Sequence, residues 1–252
     1  MKNKTILVLL VGTVLISACG ELPSLNIGGQ KPADELGLQE IKPIPTVASV
    51  PDASFFRDDM DEDINKNWGM RIVSGLEKQL IWGQANGKLR MQTLPPNDIN
   101  YVFLSKNQSY DDVIVQAEVD NIGPTKNAFS LICRANPAGW YEFRISSDGY
   151  YELLRFDQYK KDEGKVAYTN LQDRRYNSTK INGGLDKNIF AISCVGDVIS
   201  GFINGEQLVW NKRPLAVEDK FHNEGAIGFG MLGFGDSLDI NYNWVEAIKP
   251  EI

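Results

Sequence analysis

The stretch that decides the fold is Trp140–Phe156, "WYEFRISSDGYYELLRF". It alternates apolar and polar residues, breaks at Asp148-Gly149, and alternates again, which is the pattern of a β-hairpin. Asp-Gly is a favoured pair for a two-residue type I′ turn, because both central residues need positive φ. That turn predicts Ser147 opposite Tyr150, and so Glu142 opposite Arg155. One face then carries Tyr141, Phe143, Ile145, Leu154 and Phe156, a core face. The other carries Trp140, Glu142, Arg144, Tyr151, Leu153 and Arg155. Opposite charges across such a pair contribute about 0.2–1 kcal/mol, so a solvated charge ladder accounts for this second stripe without any function.

Outward from the hairpin, the same period-two runs recur, punctuated by Gly, Pro, Asn and Asp. The predicted strands are 69–74, 79–82, 88–93, 101–104, 112–120, 128–135, 140–146, 150–157, 189–195, 198–204, 225–233 and 238–248. No long helical stripe and no internal repeat interrupts them. A dozen strands in about 200 residues predict an all-β domain, a two-sheet antiparallel sandwich or a closed barrel.

The N-terminus has a different character. "MKNKTILVLLVGTVLISACG" places Lys2 and Lys4 before an apolar run from Ile6 to Ile16, then small residues leading to Cys19. This is the layout of a secretory signal, and the run is short for a spanning helix, which needs about 20 apolar residues. Leu15-Ile16-Ser17-Ala18-Cys19 resembles a bacterial lipobox, in which cleavage precedes a cysteine whose thiol is then lipidated. The expectation is a signal peptide over 1–18, lipidation at Cys19, and a chain anchored to a membrane on its extracytoplasmic side. An ordinary signal peptide with an incidental cysteine is the alternative. Residues 20–53 hold five of the eleven prolines and no aromatic residue, which predicts a disordered tether over 19–53 and a folded domain over 54–252.

Removal of 1–18 takes away two lysines and no acids, so the formal charge moves from −7 to −9. A chain this acidic, with one histidine, is a poor nucleic-acid binder. With Cys19 assigned to lipid, Cys133 and Cys194 remain, an even pair in an oxidising compartment. Phe129, Leu131 and Cys133 share one parity, as do Phe190, Ile192 and Cys194, so both thiols point inward. A disulfide follows if their strands are neighbours; two buried free thiols are the alternative. Two cysteines and one histidine are too few for a metal centre or a cysteine nucleophile.

The wording of several strands carries a resemblance. "SYDDVIVQAEVD", "AFSLICRA", "WYEFRISSDGYYELLRFD", "NIFAISCVGDVISGFINGEQL", "GAIGFGMLGFG" and "LDINYNWVEAIKP" resemble, in order, the strands of concanavalin A-like lectin/glucanase jelly rolls. Among these, the chain resembles the laminin G-like and keto-disaccharide hydrolase-like members found in bacterial secreted proteins. The resemblance spans about residues 55–250 and implies a jelly-roll sandwich. It rests on a strand-"ING"-strand unit and the "SSDGYY" hairpin, neither of which is catalytic.

Parity extends the hairpin's polar face to other strands. Glu118, Arg134 and Phe202 alternate with inward residues, and together with Trp140, Glu142, Arg144 and Arg155 they form a candidate ligand-binding face. Aromatic rings that stack on sugar C–H surfaces, beside carboxylates and guanidinia that meet hydroxyls, are what a carbohydrate site needs. Hydrolysis needs two carboxyls about 5–9.5 Å apart, and glucanases of the resembled superfamily carry theirs as Glu-x-Asp-x-x-Glu, a spacing absent here. Glu118 and Glu142 could pair only with arginines beside them. No catalytic residue is assigned.

"RDDMDEDINKNW" (57–68) spaces Asp59, Asp61 and Asp63 like the start of an EF-hand loop, but Ile64 and Met70 stand where glycine and glutamate belong. No metal site and no cofactor are expected; calcium is the one ion left open, since laminin G-like domains sometimes carry it. The glycines of "GAIGFGMLGFGD" lack a Gly-Lys-Ser/Thr and read as close backbone packing. His222 reads as a surface residue. The preferred reading is a non-catalytic lipoprotein that binds glycan or a surface protein, with a sugar-acting hydrolase, or a structural laminin G-like module, as alternatives.

Overall fold

The structure, a computed structural model, describes residues 55–94, 98–123, 127–235 and 237–251. The signal segment, Cys19 and the tether to residue 53 lie outside these residues, as does the first residue of the expected domain. Among the described residues, no helix is long and apolar enough to cross a membrane.

Thirteen strands of three or more residues define the sandwich: β1 (Trp68–Ser74), β2 (Leu80–Gln84), β3 (Leu89–Thr93), β4 (Asp98–Ser105), β5 (Val113–Asn121), β6 (Ala128–Asn136), β7 (Gly139–Ser146), β8 (Tyr150–Asp157), β9 (Tyr168–Asn170), β10 (Lys187–Val195), β11 (Val198–Ile203), β12 (Ala226–Phe234) and β13 (Leu238–Ile248). A further three-residue strand, Ala216–Glu218, pairs with β11, Arg57–Asp58 pairs with β13, Val209–Trp210 and Arg213–Pro214 pair only with each other, and two short helices, α1 (Ile64–Asn67) and α2 (Gln158–Asp162), interrupt the β structure. One antiparallel sheet runs β11-β10-β5-β13-β3-β2, with Glu206–Gln207 beyond β11; the other runs β9-β8-β7-β6-β12-β4-β1. This is a two-sheet jelly-roll sandwich, and the period-two runs of the sequence all lie within it.

The core between the sheets follows from the alternation. Val113, Val115, Ala117 and Val119 of β5 meet Phe129, Leu131 and Cys133 of β6, Tyr141, Phe143 and Ile145 of β7, and Phe229 and Met231 of β12. Cys133 and Cys194 form a disulfide with Cα atoms 6.6 Å apart. Their strands are not neighbours in one sheet; β6 and β10 lie in opposite sheets, and the bond staples the sandwich across its core.

The hairpin register differs from expectation by one residue. Glu142 pairs with Leu154 and Arg144 with Glu152, so that Tyr141 faces Arg155. The cause is the turn: Gly149 has φ +89° while Asp148 stays out of the positive-φ region, and the Gly149 N–H donates to the Ser146 carbonyl at 2.9 Å. This is a three-residue loop of a type I turn closed by glycine, not a two-residue type I′ turn. A one-residue slip exchanges the faces of β8. Tyr151 and Leu153 are in the core, while Leu154 and Phe156 lie on the opposite face with Trp140.

Candidate functional site

The eight-stranded sheet curls over its outward face, and that concave face is where the chemistry-bearing side chains collect. Pairing sets them in rows. Leu104, Gly228, Ile132, Glu142 and Leu154 make one row; Val102, Gly230, Ser130, Arg144 and Glu152 the next. The glycines here are a packing requirement. A Cβ on Gly228 would sit 2.6 Å from the Phe103 carbonyl and 2.7 Å from Leu104 Cδ2, so neighbouring side chains lean in over bare backbone.

The far end of the face is filled by its own residues. Trp140 stacks on Phe156 with centroids 3.9 Å apart and planes at 17°, and both are fully buried with Val102 and Ile132 in a second small core. The segment that follows β8 forms the roof. Asp157 caps α2 by accepting from the Lys160 N–H, the Lys161 ammonium donates to the Val73 carbonyl at 2.6 Å, and Arg71 donates to Gln158. One edge of the sheet thus meets the other.

Beneath this roof lies Glu142, with no exposed surface. Its Oε2 accepts from Trp140 Nε1–H at 3.0 Å and from the Tyr168 hydroxyl at 2.8 Å, and its Oε1 accepts from Arg144 Nε–H at 2.5 Å. Asn100 on β4 donates in turn to the Tyr168 oxygen at 2.9 Å. Burial works against the Arg144 charge, but Glu142, Tyr168 and Glu152 together outweigh it and the guanidinium stays charged. Burial, with Glu142 beside it, holds the Tyr168 phenol well above its ordinary value, so it is a neutral donor.

The near end of the face, around the hairpin turn, is open. A pocket of about 320 Å³ is lined by Ser146, Asp148, Arg175 and Phe234, and a much narrower recess, which shares Ser146, Arg175 and Phe234 with it, is lined also by Ala128, Arg144, Tyr150 and Glu152. One carboxylate lines the pocket and another the recess, each with an arginine at longer than hydrogen-bond distance. Asp148 is 3.8 Å from Arg175, and Glu152 is 3.6 Å from Arg144. Asp148 also accepts from the Ser146 hydroxyl. Tyr150 and Phe234 are 40% and 44% exposed, unusual for rings on a sheet that otherwise buries them. Arg175 lies between the two, 4.6 Å from the first ring centroid and 6.0 Å from the second.

Of the seven residues expected on one ligand-binding face, the structure brings three together: Trp140, Glu142 and Arg144, all buried. Glu118 and Phe202 belong to the other sheet, on β5 and β11; Glu118 pairs with Lys187 at 2.9 Å. Glu118 and Glu142 therefore form no carboxyl pair. Arg155 points the other way because of the register shift and pairs with Asp219 at 2.7 Å. Arg134 leaves its parity at a β-bulge, with φ +54°. Its guanidinium, 3% exposed, donates to the carbonyls of Asp111 and Gly196 and so clamps one end of the sandwich.

His222 is not a surface residue but 1% exposed. Its ring packs edge-on against Tyr141, and Nε2 lies 3.1 Å from the Phe156 carbonyl. Burial lowers its pKa, and Arg155 adds to that. The acidic run at 58–63 is spent locally. Asp58 accepts from Trp68 Nε1–H at 2.7 Å and from the Met60 N–H, and Asp63 caps α1. Among the described residues, no cluster of three or more His, Cys, Asp or Glu side chains is placed to hold a metal ion.

Sequence reading missed Ser146, Glu152, Arg175 and Phe234, and took Asp148 only as a turn residue. A three-residue loop would have set Arg144 opposite Glu152, so the missing signal was turn type. Nothing in the sequence joins Arg175 and Phe234 to the hairpin.

No protein-family model matches the sequence, and no curated protein sequence does. Solved structures do share the fold. A β-glucanase from Bacillus licheniformis superposes with TM-score 0.52 at 12% identity, over 78% of this chain and 99% of that one. A glycoside hydrolase family 16 endo-glucanase from Bacteroides ovatus gives 0.53 at 12% identity, over 77% and 99%. A non-specific endo-β-1,3(4)-glucanase of the same family gives 0.53 at 9% identity, over 83% and 95%. A carbohydrate-binding module, CBM66 from Bacillus subtilis, superposes at 0.49 with 17% identity, too loosely to bear on function. The domain thus has the two-sheet jelly-roll fold that these structures share. The preference for a non-catalytic binding module is corrected by this company: the three neighbours above with TM-score over 0.5 are glucanases, and that preference is not favoured.

Proposed function

We propose that the domain is a sugar-acting hydrolase whose site is the open end of the concave face. The observation that carries this is the opening at the hairpin turn, where Asp148 lines the pocket and Glu152 lines the narrow recess that shares Ser146, Arg175 and the exposed ring of Phe234 with it. Glycoside hydrolysis is the work of two carboxyl groups. One protonates the leaving oxygen while the other directs water or attacks, with about 5–9.5 Å between them. Asp148 in the turn and Glu152, four residues on along β8, are the pair that this opening offers. Phe234 supplies a stacking face, and the Arg175 guanidinium supplies donors to sugar hydroxyls. Glu142 does not belong to the reacting set; as a buried, fully bonded group it fixes Arg144 and the roof.

The shared fold does not carry the activity; the pocket supports it independently. In the same reading Cys19 is lipidated and holds the enzyme at the extracytoplasmic face of a membrane, the 19–53 tether setting its reach. The test is release of reducing sugar from β-glucan oligosaccharides and keto-disaccharides by the purified protein, with Asp148→Asn and Glu152→Gln alongside. Loss of a general acid or base costs about 10²–10⁴-fold. Turnover that both variants abolish supports the assignment; turnover untouched by either moves the chemistry elsewhere.

A further inference from the structure

We infer that the substrate enters end-on, one neutral terminal sugar deep, and that Arg144 reads one oxygen of that sugar in the narrow recess that adjoins the pocket. This rests on the hydrolase reading for the reaction, but not for the binding.

The first part follows from what fills the concave face. A polymer lying across this sheet would have to cross the rows of Glu142 and Trp140, and those rows are closed. Trp140, Glu142 and Phe156 have no exposed surface, and the Tyr168 hydroxyl bridges Glu142 to Asn100. The remaining opening of about 320 Å³ is at the small end of ligand pockets, which run about 300–1,000 Å³. It suits a single terminal ring rather than a chain passing through.

The second part follows from Arg144. The residue is 7% exposed yet contributes to the wall of the adjoining recess, whose volume of about 10 Å³ has room for a single oxygen such as a sugar hydroxyl. Its Nε–H is given to Glu142 and its Nη1 lies near Glu152, but its Nη2 is buried with no hydrogen-bond partner. An unmatched buried donor costs about 1–3 kcal/mol or more for a charged group, a cost removed when a ligand oxygen accepts from it. Charge decides the ligand's class. Glu142 and Glu152 already compensate Arg144, and Asp148 stands near Arg175, so no net positive charge is left to favour an anion. A hydroxyl or ring oxygen of an uncharged sugar fits; Phe234 and Tyr150, exposed at the rim, offer the faces for its C–H surface.

The test uses small probes and so does not depend on turnover. Methyl β-glucoside, β-galactoside and β-mannoside, with their monodeoxy analogues, are titrated into the intact protein and followed by heteronuclear NMR. At least one parent glycoside is expected to bind, one deoxy position to weaken it 10-fold or more, and Phe234→Ala to weaken it similarly while the fold is kept. Deoxy analogues that all bind like the parent, no parent that binds, or shifts mapping away from Ala128, Ser146 and Phe234 would overturn the inference. Products are then resolved by size on any glycan the protein cleaves. Single sugars from chain ends support end-on entry, and a ladder of internal fragments contradicts it. Binding without turnover on any substrate would sink the hydrolase reading and leave the sugar pocket standing.

Discussion

The hydroxyl of Tyr168 donates to the Glu142 carboxylate at 2.8 Å, joining the edge strand β9 to the middle of the sheet over its own concave face. This contact seals a surface that the jelly-roll fold leaves free, and it explains why a glutamate sits with no exposure on the outward side of a sheet. Tyr168→Phe removes one of three donor groups to a buried charge and is expected to destabilise by about 1–3 kcal/mol. Urea denaturation measures it. An unchanged midpoint would show that the roof does not hold the carboxylate.

Glu142 and Arg144 make the stronger case. Breaking a buried ion pair from one side costs about 3–5 kcal/mol, because the remaining charge is left uncompensated. Glu142→Gln should therefore lower the thermal midpoint more than Tyr168→Phe does. The double variant Glu142→Gln/Arg144→Met should recover part of the loss, since it buries no lone charge. Equal effects of single and double variants would contradict the pairing.

How much of this was legible beforehand depended on local rules. The twelve alternating runs became strands because a buried face enforces period two whatever the sheet order. The inward parity of Cys133 and Cys194 was read for the same reason. The face of Arg155 was not, because it hinged on a loop longer by one residue, and Arg134 was not, because a bulge breaks parity. Membership of one sheet or the other, which separates Glu118 and Phe202 from Glu142, is a long-range property that no spacing encodes. Nor does spacing encode that Asp219, far along the chain, would accept from Tyr141 and draw His222 inward.

The Cys133–Cys194 bond closes a loop with 61 residues of separation. In the chain-entropy account such a closure contributes about 4 kcal/mol by restricting the unfolded chain. Reduction, or Cys133→Ala/Cys194→Ala, should lower the unfolding midpoint accordingly. Thiol titration of the denatured, unreduced protein should find neither of these two cysteines free.

His222 makes stability depend on pH. Its folded pKa is lowered by burial, against the partial support of the Phe156 carbonyl, with Arg155, Asp219, Asp157 and the Tyr141 hydroxyl around it. The Tyr141 phenol is pushed up to about 12, by burial first and then by its bond to Asp219, and does not titrate in this range. As pH falls, the unfolded chain takes up the histidine proton first, so the contribution is complete above about pH 6.5 and is lost as pH drops through that value toward the lower folded pKa. The thermal midpoint should fall between pH 7.5 and 5.5, and His222→Gln should flatten that limb. Parallel profiles for the two proteins would contradict it.

The account stands or falls on the pocket at the hairpin turn. The most direct measurement is release of new reducing ends from β-glucan oligosaccharides and keto-disaccharides, by wild type, Asp148→Asn and Glu152→Gln at equal folded concentration. The account predicts turnover by the wild type and a loss of at least about 10²-fold in each variant. Turnover that survives both substitutions, or none by the wild type on any of these sugars, would contradict it.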